Sequence, residues 1–226
     1  MKDCGDHGDT RAMRAESSDH GLPDTLFARV DEGDDAHFYQ VPRLVAHIDP
    51  GTIAALTQYY REVLPEGGRL LDLMSSWISH LPPERRYAAV AGLGMNADEL
   101  AANDRLDVRL VHDLNRNSRL PFDAGVFDAV LIAVSVQYLI HPVAVFRDIA
   151  RTLTPGGRLI VAMSHRCFPT KAVRAFHQLS AQDRIRLIGT YVQLAGGYAV
   201  PEFVDRSPDG EDPLWIVTAT TETLDR

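Results

Sequence analysis

The chain has 226 residues and an apolar content of 45%, which suits one α/β domain with an appendage. No apolar run approaches the ~20 residues that span a bilayer, and the N-terminus lacks the apolar segment of a signal peptide. The two cysteines give no disulfide framework, so we expect a cytoplasmic protein with no membrane partner. A net charge of −8 argues against binding to nucleic acid.

The negative charge concentrates in the leading segment. Residues 1–35 hold ten acidic and four basic side chains and so carry −6 of the net charge. Few large apolar groups accompany them, and we predict a weakly ordered segment, either a solvated tail or an acidic interaction arm. Residues 36–226 are predicted to form a single domain, in which residues 36–66 are an N-terminal helical cap. Asp49 and Pro50 suit the N-cap and first position of its helix.

Beyond the cap, short apolar runs alternate with amphipathic helical patterns, which is typical of a parallel sheet covered on both faces. The pattern predicts strands at 69–73, 87–93, 107–112, 127–136, 158–163 and 214–220. It predicts helices at 50–64, 96–102, 142–153 and 170–189, and a short helix or an irregular loop at 77–81. A turn at 205–211, before the last strand, indicates a hairpin at the C-terminal edge of the sheet.

Short motifs stand at characteristic points of this order: Asp72, Asp113, Leu120-Pro121-Phe122, Phe127-Asp128, Pro155-Gly156-Gly157 and Asp212-Pro213-Leu214-Trp215. With them, residues 64–220 resemble the class I S-adenosylmethionine-dependent methyltransferases of type 11. The resemblance implies a Rossmann-like, doubly wound sheet of seven strands in three α/β/α layers. This sheet is mostly parallel and has an antiparallel C-terminal edge hairpin. The segment LDLMSSWISHLP (71–82) replaces the glycine-rich loop, which indicates a divergent branch.

In an open parallel sheet, ligands bind beyond the carboxyl ends of the strands, where the strand order reverses. The resemblance places S-adenosylmethionine there, and the implied contacts are Asp72, Met74, Ser75, Gly94, Met95, Asp113, Leu114 and Ser135. Asp72 would meet the ammonium group of the cofactor. Asp113 would accept from the adenine amino group, next to the backbone amide of Leu114.

Two positions depart from the family pattern. Gly94 stands where the family has an acid that binds the ribose hydroxyls. Met74, Ser75 and Ser76 stand where the family has glycines that let the backbone approach the cofactor. The two serine hydroxyls either contact the cofactor or cap a helix.

The loop after the fifth predicted strand, residues 164–169, gathers hydrogen-bonding side chains at the same edge of the sheet. His165 is the candidate general base because its ordinary pKa lies near neutrality. Arg166 and Cys167 are candidate substrate contacts, and Cys167 is a candidate nucleophile or thiol ligand if Arg166 and His165 lower its pKa. The alternatives are an ion-pairing strut for Arg166 and a small buried apolar group for Cys167.

Other candidates lie after the fourth strand and in the cap. Gln137 and Tyr138 are placed to position an acceptor, and Tyr39 and Arg43 are predicted to contact the substrate. Arg43 would clamp a carboxylate, either of the substrate or of the methionine part of the cofactor. His47, Asp49 and His80 are further candidates for this group, although each of the two histidines is interpreted here as a lone surface residue. The histidines show no metal-ligand spacing, so we expect no metal.

The resemblance implies methyl transfer from S-adenosylmethionine to a small-molecule acceptor, since the segment after residue 163 leaves no room for a large substrate domain. Such a transfer needs mainly proximity and orientation. The missing glycines and ribose acid keep two alternatives open: a binding or regulatory protein that does not methylate, and a lyase or cyclase on the same scaffold. The acceptor and the oligomeric state are left open.

Overall fold

The computed structural model describes residues 21–222, and within this range seven strands form one sheet. The strands are β1 Arg69–Leu73, β2 Ala89–Gly94, β3 Val108–Val111, β4 Phe127–Ala133, β5 Leu153–Met163, β6 Glu202–Asp205 and β7 Trp215–Thr220. The helices are α1 Asp35–Phe38, α2 Pro50–Val63, α3 Ala97–Ala102, α4 Pro142–Thr152, α5 Arg174–Gln178 and α6 Ala181–Ala195. Single 3-10 turns occupy Asp24–Leu26 and Val136–Tyr138.

The strand order is β3-β2-β1-β4-β5-β7-β6. Strands β1 to β5 run parallel, whereas β7 is antiparallel to both β5 and β6. This confirms the predicted mostly parallel sheet with an antiparallel C-terminal edge. The chain moves from β1 outward to β3 and then returns to pair β4 on the other side of β1, so the order reverses between β1 and β4.

The sheet carries a core on each face because successive strand residues point to opposite sides. One face packs against α4 and α6, where the rings of Phe146 and Tyr191 lie 5.9 Å apart between centroids. The other face packs against α2 and α3, where Tyr60 and Leu100 are buried. The three α/β/α layers are therefore confirmed.

Two local predictions differ from the structure, and a third had left two alternatives open. The pattern at 170–189 predicts one helix, but α5 and α6 form, because Leu179 and Ser180 are extended and Ser180 Oγ caps α6 at Asp183 N. Strand β4 ends at Ala133, since the φ of 45° at Val134 turns the chain away. Of the alternatives for 77–81, the irregular loop is the one that forms.

Of the segment predicted to be weakly ordered, residues 1–20 lie outside the described range. Residues 21–35 pack on the domain. Phe27 joins the core, and the buried Asp35 carboxylate binds Arg29 Nη1 at 2.8 Å and Lys171 Nζ at 3.0 Å. Contacts therefore run across the predicted boundary at residue 35.

Residues 27–48, which we call the cap segment, lie over the carboxyl ends of β1, β2 and β4. Backbone carbonyls of this segment accept from Asn96 Nδ2 at 2.8 Å (Tyr39) and from Trp77 Nε1 at 3.0 Å (Val45). In return, Arg43 N donates to Glu99 Oε1 at 2.7 Å. Within residues 21–222 no helix has the length and apolar character needed to cross a membrane.

Candidate functional site

A cleft opens at the carboxyl ends of β1, β2 and β4, where the strand order reverses. The space between its lining residues, counted together with the open solvent at its mouth, is about 1080 Å³. The predicted cofactor contacts all line this cleft: Asp72, Met74, Ser75, Gly94, Met95, Asp113, Leu114 and Ser135. Tyr39, Arg43 and Tyr138 line it as well. Residues from four strand ends and the cap segment thus meet in one place.

The loop after β1 folds back across the end of β2. Ser75 N donates to Leu93 O at 2.8 Å, and the Ser75 carbonyl lies against Gly94, where a Cβ atom would overlap it. Met74 has a φ of 58°, the left-handed region that favours glycine. The backbone keeps a glycine-like conformation at residue 74, but a methionine side chain stands on the wall of the cleft.

Asp72 is a buried carboxyl group on the floor of the cleft, and 4% of its surface is exposed. Its Oδ2 accepts from Ser75 Oγ and from Ser79 Oγ, each at 2.6 Å. No cation pairs with it among the described residues. Burial raises the pKa of Asp72 to about 6, and the two serine hydroxyls only partly counter that rise.

Asp113, after β3, forms an ordinary Asx turn and still faces the cleft. Its Oδ1 accepts from Asn115 N at 2.8 Å and from Arg116 N at 3.3 Å. Leu114, the next residue, is buried. The turn explains the aspartate on structural grounds alone, and the half-exposed carboxyl group remains available to a ligand.

The two candidate side chains after β4, Gln137 and Tyr138, point in different directions. Tyr138 lines the cleft, and its hydroxyl accepts from Phe168 N at 2.8 Å. Burial raises the pKa of Tyr138 to about 12. Gln137 turns away from the cleft, and its Nε2 donates to Val134 O at 2.8 Å. The hydroxyl of Ser135 is buried with no hydrogen-bond partner in the described part of the chain.

The loop after β5 differs from the prediction, because His165, Arg166 and Cys167 do not line the cleft. The buried carboxylate of Asp212 draws the first two outward, to 3.3 Å from His165 Nε2 and 2.6 Å from Arg166 Nε. Burial raises the pKa of the Cys167 thiol, which disfavours a reactive thiolate. Phe168, the next residue, reaches the cleft instead.

Two histidines interpreted from sequence as surface residues lie in the cleft. His80 is 8% exposed, and its Nδ1 has no partner in the described part of the chain. Burial, with a smaller contribution from His47, lowers the pKa of His80 to about 4. Burial also lowers the pKa of His47, whose ring meets Phe168 edge to face at 5.3 Å between centroids. The lowered pKa favours the neutral imidazole in both residues.

Sequence reasoning also missed Glu99 and Phe168. Glu99 is buried in the first turn of α3, and its Oε2 accepts from Ser76 Oγ at 2.6 Å. An acid in a first helical turn is so common that it carries no functional signal. Phe168 has no reactive group, so the sequence alone gives no functional signal for it. Within residues 21–222, no group of three or more His, Cys, Asp or Glu side chains is arranged to hold a metal ion.

The sheet order and the cleft define a Rossmann-like methyltransferase fold. Residues 76–161 match a family model described as a methyltransferase domain. This stretch of the chain is thus similar to a methyltransferase domain. The match begins at Ser76, so the start of the altered loop, with Asp72 and Met74, precedes it.

Parts of this chain are similar to curated proteins and to solved structures. A demethylmenaquinone methyltransferase of Mycolicibacterium gilvum (strain PYR-GCK) is 50% identical over 44 residues, which is 20% of this chain and 19% of that protein. This stretch spans about a fifth of the relative's length. An S-adenosylmethionine-dependent methyltransferase from Mesorhizobium loti superposes with a TM-score of 0.54 at 15% identity, over 74% of this chain and 97% of that one.

The (4+2)-cyclase SpnF superposes with a TM-score of 0.53 at 17% identity, over 74% of this chain and 81% of that one. At such identities the structures share a fold. Because one of them is described as a cyclase, the fold does not by itself establish methyl transfer.

Proposed function

We propose that the cleft binds S-adenosylmethionine and that the protein transfers its methyl group to a small-molecule acceptor. The observation that carries this proposal is Asp72, a carboxyl group buried at the switch point of the sheet with no cation beside it. A buried carboxylate is costly unless a positive group or hydrogen-bond donors compensate it. The amine of the cofactor would supply the missing positive charge.

The charge of the cleft supports a cationic ligand. The carboxyl side chains on its wall are Asp35, Asp72, Glu99 and Asp113, whereas Arg43 is the guanidinium among the described lining residues. Asp35 is already neutralised by Arg29 and Lys171. The remaining excess of negative charge favours a sulfonium compound that also carries an ammonium group.

The altered loop after β1 implies contacts to the cofactor that differ from the family pattern. Residue 94 has no room for a side chain, so the ribose cannot meet an acid there. Ser75 and Ser76 already use their hydroxyls on Asp72 and Glu99, at 2.6 Å each, and thereby hold two carboxyl groups at the cleft. We assign the serines to the positioning of these acids, and Asp113 with Leu114 to the adenine.

The bound cofactor supplies an electrophilic methyl group on a positively charged sulfur. The protein's own contribution is mainly orientation and the exclusion of water, which the cap segment provides by closing over the strand ends. Tyr138, Tyr39 and Arg43 lie on the acceptor side of the cleft, near β4 and the cap. A concave cleft beneath the cap segment favours a small molecule over a protein or nucleic acid.

The main alternative is a protein that binds the cofactor, or a related nucleoside, without methylating anything. Met74 favours it, because its side chain occupies the wall where the family has none. A lyase or cyclase on this scaffold is the second alternative. Cofactor consumption separates these cases, since only methyl transfer converts S-adenosylmethionine to S-adenosylhomocysteine.

Isothermal titration with S-adenosylmethionine and S-adenosylhomocysteine tests the proposal. We expect both to bind, and Asp72→Asn to weaken S-adenosylmethionine by roughly tenfold to a hundredfold, the value of a charge-assisted hydrogen bond. Asp113→Ala should lose about 1–2 kcal/mol, the value of a neutral contact. Asp98→Asn, an exposed acid in the first turn of α3, is the control and should change nothing. Absence of heat with either compound would rule out the proposal.

A further inference from the structure

The half of the cleft next to β4 and the cap segment has aromatic walls. Among the lining rings, the Phe168 ring centroid lies 5.8 Å from that of Tyr138 and 5.3 Å from that of His47. Phe38, which does not line the cleft, lies 5.4 Å from Phe168 between centroids. The Tyr138 ring is stacked on Phe168, whereas the other two meet it edge to face. Such walls suit a planar ring, which can pack on a face or an edge with matching geometry.

This half offers little to a negatively charged acceptor. Its guanidinium, on Arg43, donates from Nη2 to Phe38 O at 2.9 Å and lies 4.4 Å above the Phe38 ring. The same group is 5.3 Å from the Phe168 ring centroid. Arg43 is therefore engaged in holding the aromatic group together, and an uncharged ligand fits this half best.

His47 is the polar group of the aromatic half. It is half-buried, it lines the cleft, and its ring makes no hydrogen bond to any residue between 21 and 222. The charged groups that act on it are Glu99, which favours its protonation, and Arg43, which opposes it. His80, also in the cleft, is electrostatically coupled to it. A neutral imidazole with no protein partner is available to accept a proton.

We propose, resting on the function proposed above, that the acceptor is a planar hydroxylated aromatic compound bound against Phe168 and that His47 is the base that receives its hydroxyl proton. The acceptor oxygen gains the methyl group, and the pair of electrons of the broken carbon–sulfur bond stays on sulfur. The hydroxyl proton passes to an imidazole nitrogen of His47 and later leaves to water. This assigns the role predicted for His165 to a residue that lies in the cleft.

The first step of the test separates this inference from the proposed function. S-adenosylhomocysteine is titrated into the wild type, His47→Leu, His47→Gln, Phe168→Leu and the control His141→Gln, which changes an exposed histidine at the start of α4. Equal affinity in all five is expected, because the replaced side chains lie outside the proposed cofactor contacts. No binding to the wild type overturns both proposals together.

The second step uses 2-naphthol and 2-methoxynaphthalene as probes on the protein saturated with S-adenosylhomocysteine. Only 2-naphthol carries the hydroxyl proton that His47 would accept, whereas 2-methoxynaphthalene is its methyl ether. We expect the wild type to bind 2-naphthol about tenfold more tightly than the ether, which is the value of one hydrogen bond. His47→Leu should remove this preference, His47→Gln should keep part of it, and Phe168→Leu should weaken both probes alike. A preference that survives in His47→Leu overturns the role of His47.

The last step follows the reaction with S-adenosylmethionine and 2-naphthol by mass spectrometry. We expect 2-methoxynaphthalene from the wild type and from His141→Gln, and a fall in kcat of about a hundredfold in His47→Leu with little change in KM. The rise of the rate with pH should disappear in that variant. A merely structural role for His47 would not remove the pH dependence. Absence of product from the wild type, with S-adenosylhomocysteine bound, overturns the acceptor class.

Discussion

The backbone carbonyl of Ser75 fills the space that a Cβ atom on Gly94 would need. Ser75 N also binds Leu93 O at 2.8 Å, so the loop after β1 is fastened across the end of β2. The two departures from the family pattern are therefore one arrangement. A loop that lies this close to β2 excludes an acid at residue 94, and the glycine there permits the close approach.

This arrangement predicts that Gly94→Ala destabilises the protein by about 1–3 kcal/mol, the usual cost of inserting a methyl group where none fits. Urea denaturation at neutral pH measures the change. Gly189→Ala is the matched control, since a Cβ there meets nothing nearer than 3.7 Å within α6. That control should be neutral or slightly stabilising, because alanine favours the helix over glycine. Equal stability of the two variants would show that the loop is free to move away.

Met74 combines a left-handed backbone with a bulky side chain on the cleft wall. Met74→Gly should relieve strain worth roughly 1–2 kcal/mol and should also bind S-adenosylhomocysteine more tightly, by isothermal titration. Met74→Ala removes the bulk but keeps most of the strain. If Met74→Ala gains affinity equally, the side chain is what obstructs the ligand. If neither variant gains affinity, Met74 does not border the bound cofactor.

Asp72 makes stability depend on pH in an unusual direction. Its pKa is raised by burial from 3.8 to about 6, so the folded state holds a proton that the unfolded chain has released between these values. The free energy of unfolding should therefore fall by about 3 kcal/mol from roughly pH 4 to pH 7 on account of this group. Asp72→Asn keeps the shape and should lack that fall.

Chemical denaturation at a series of pH values, for the wild type and Asp72→Asn, isolates this contribution. The difference between the two should grow in favour of the variant as the pH rises through 6. Parallel stability curves would mean that Asp72 is ionised at little cost. In the wild type, the same carboxyl group should bind S-adenosylmethionine better above pH 6 than below it.

Asp35 fastens the cap segment to the domain. Burial alone would raise its pKa, but hydrogen bonds from Arg29, Asn115 and Lys171 outweigh this and hold the pKa below its ordinary value. Its contribution is therefore present above about pH 4 and lost as the pH falls further. Asp35→Asn should weaken the attachment and speed hydrogen exchange in residues 27–48 at neutral pH. Asp34→Asn, an exposed cap of α1, should produce a much smaller and local change. Unchanged exchange in Asp35→Asn would show that other contacts hold the segment.

The sequence predicts the sheet and the cofactor half of the candidate site. Apolar runs bounded by turn residues mark where each strand ends, and the ends of β1, β2 and β3 place Asp72, Gly94 and Asp113 around one cleft. The positions of cofactor candidates follow from strand ends alone. Their roles remain predictions.

The sequence does not predict the acceptor half of the site, because its geometry depends on contacts between residues that are distant in the chain. Asp212 lies 47 positions beyond His165 and 46 beyond Arg166 in the printed sequence, and it pulls these two side chains away from the cleft. Phe168 then faces the cap segment, where His47 meets it. No pattern near His47 in the sequence indicates that burial will lower the pKa of this side chain. Loop residues take their direction from tertiary partners that no local pattern encodes.

The most direct measurement is a crystal structure of the protein grown with S-adenosylhomocysteine. We predict electron density for the nucleoside at the ends of β1, β2 and β3, with the adenine beside Asp113 and Leu114 and the amino group of the ligand at Asp72. A cleft closed by the Met74 side chain, or density for the ligand elsewhere, would contradict the assignment of the cofactor site.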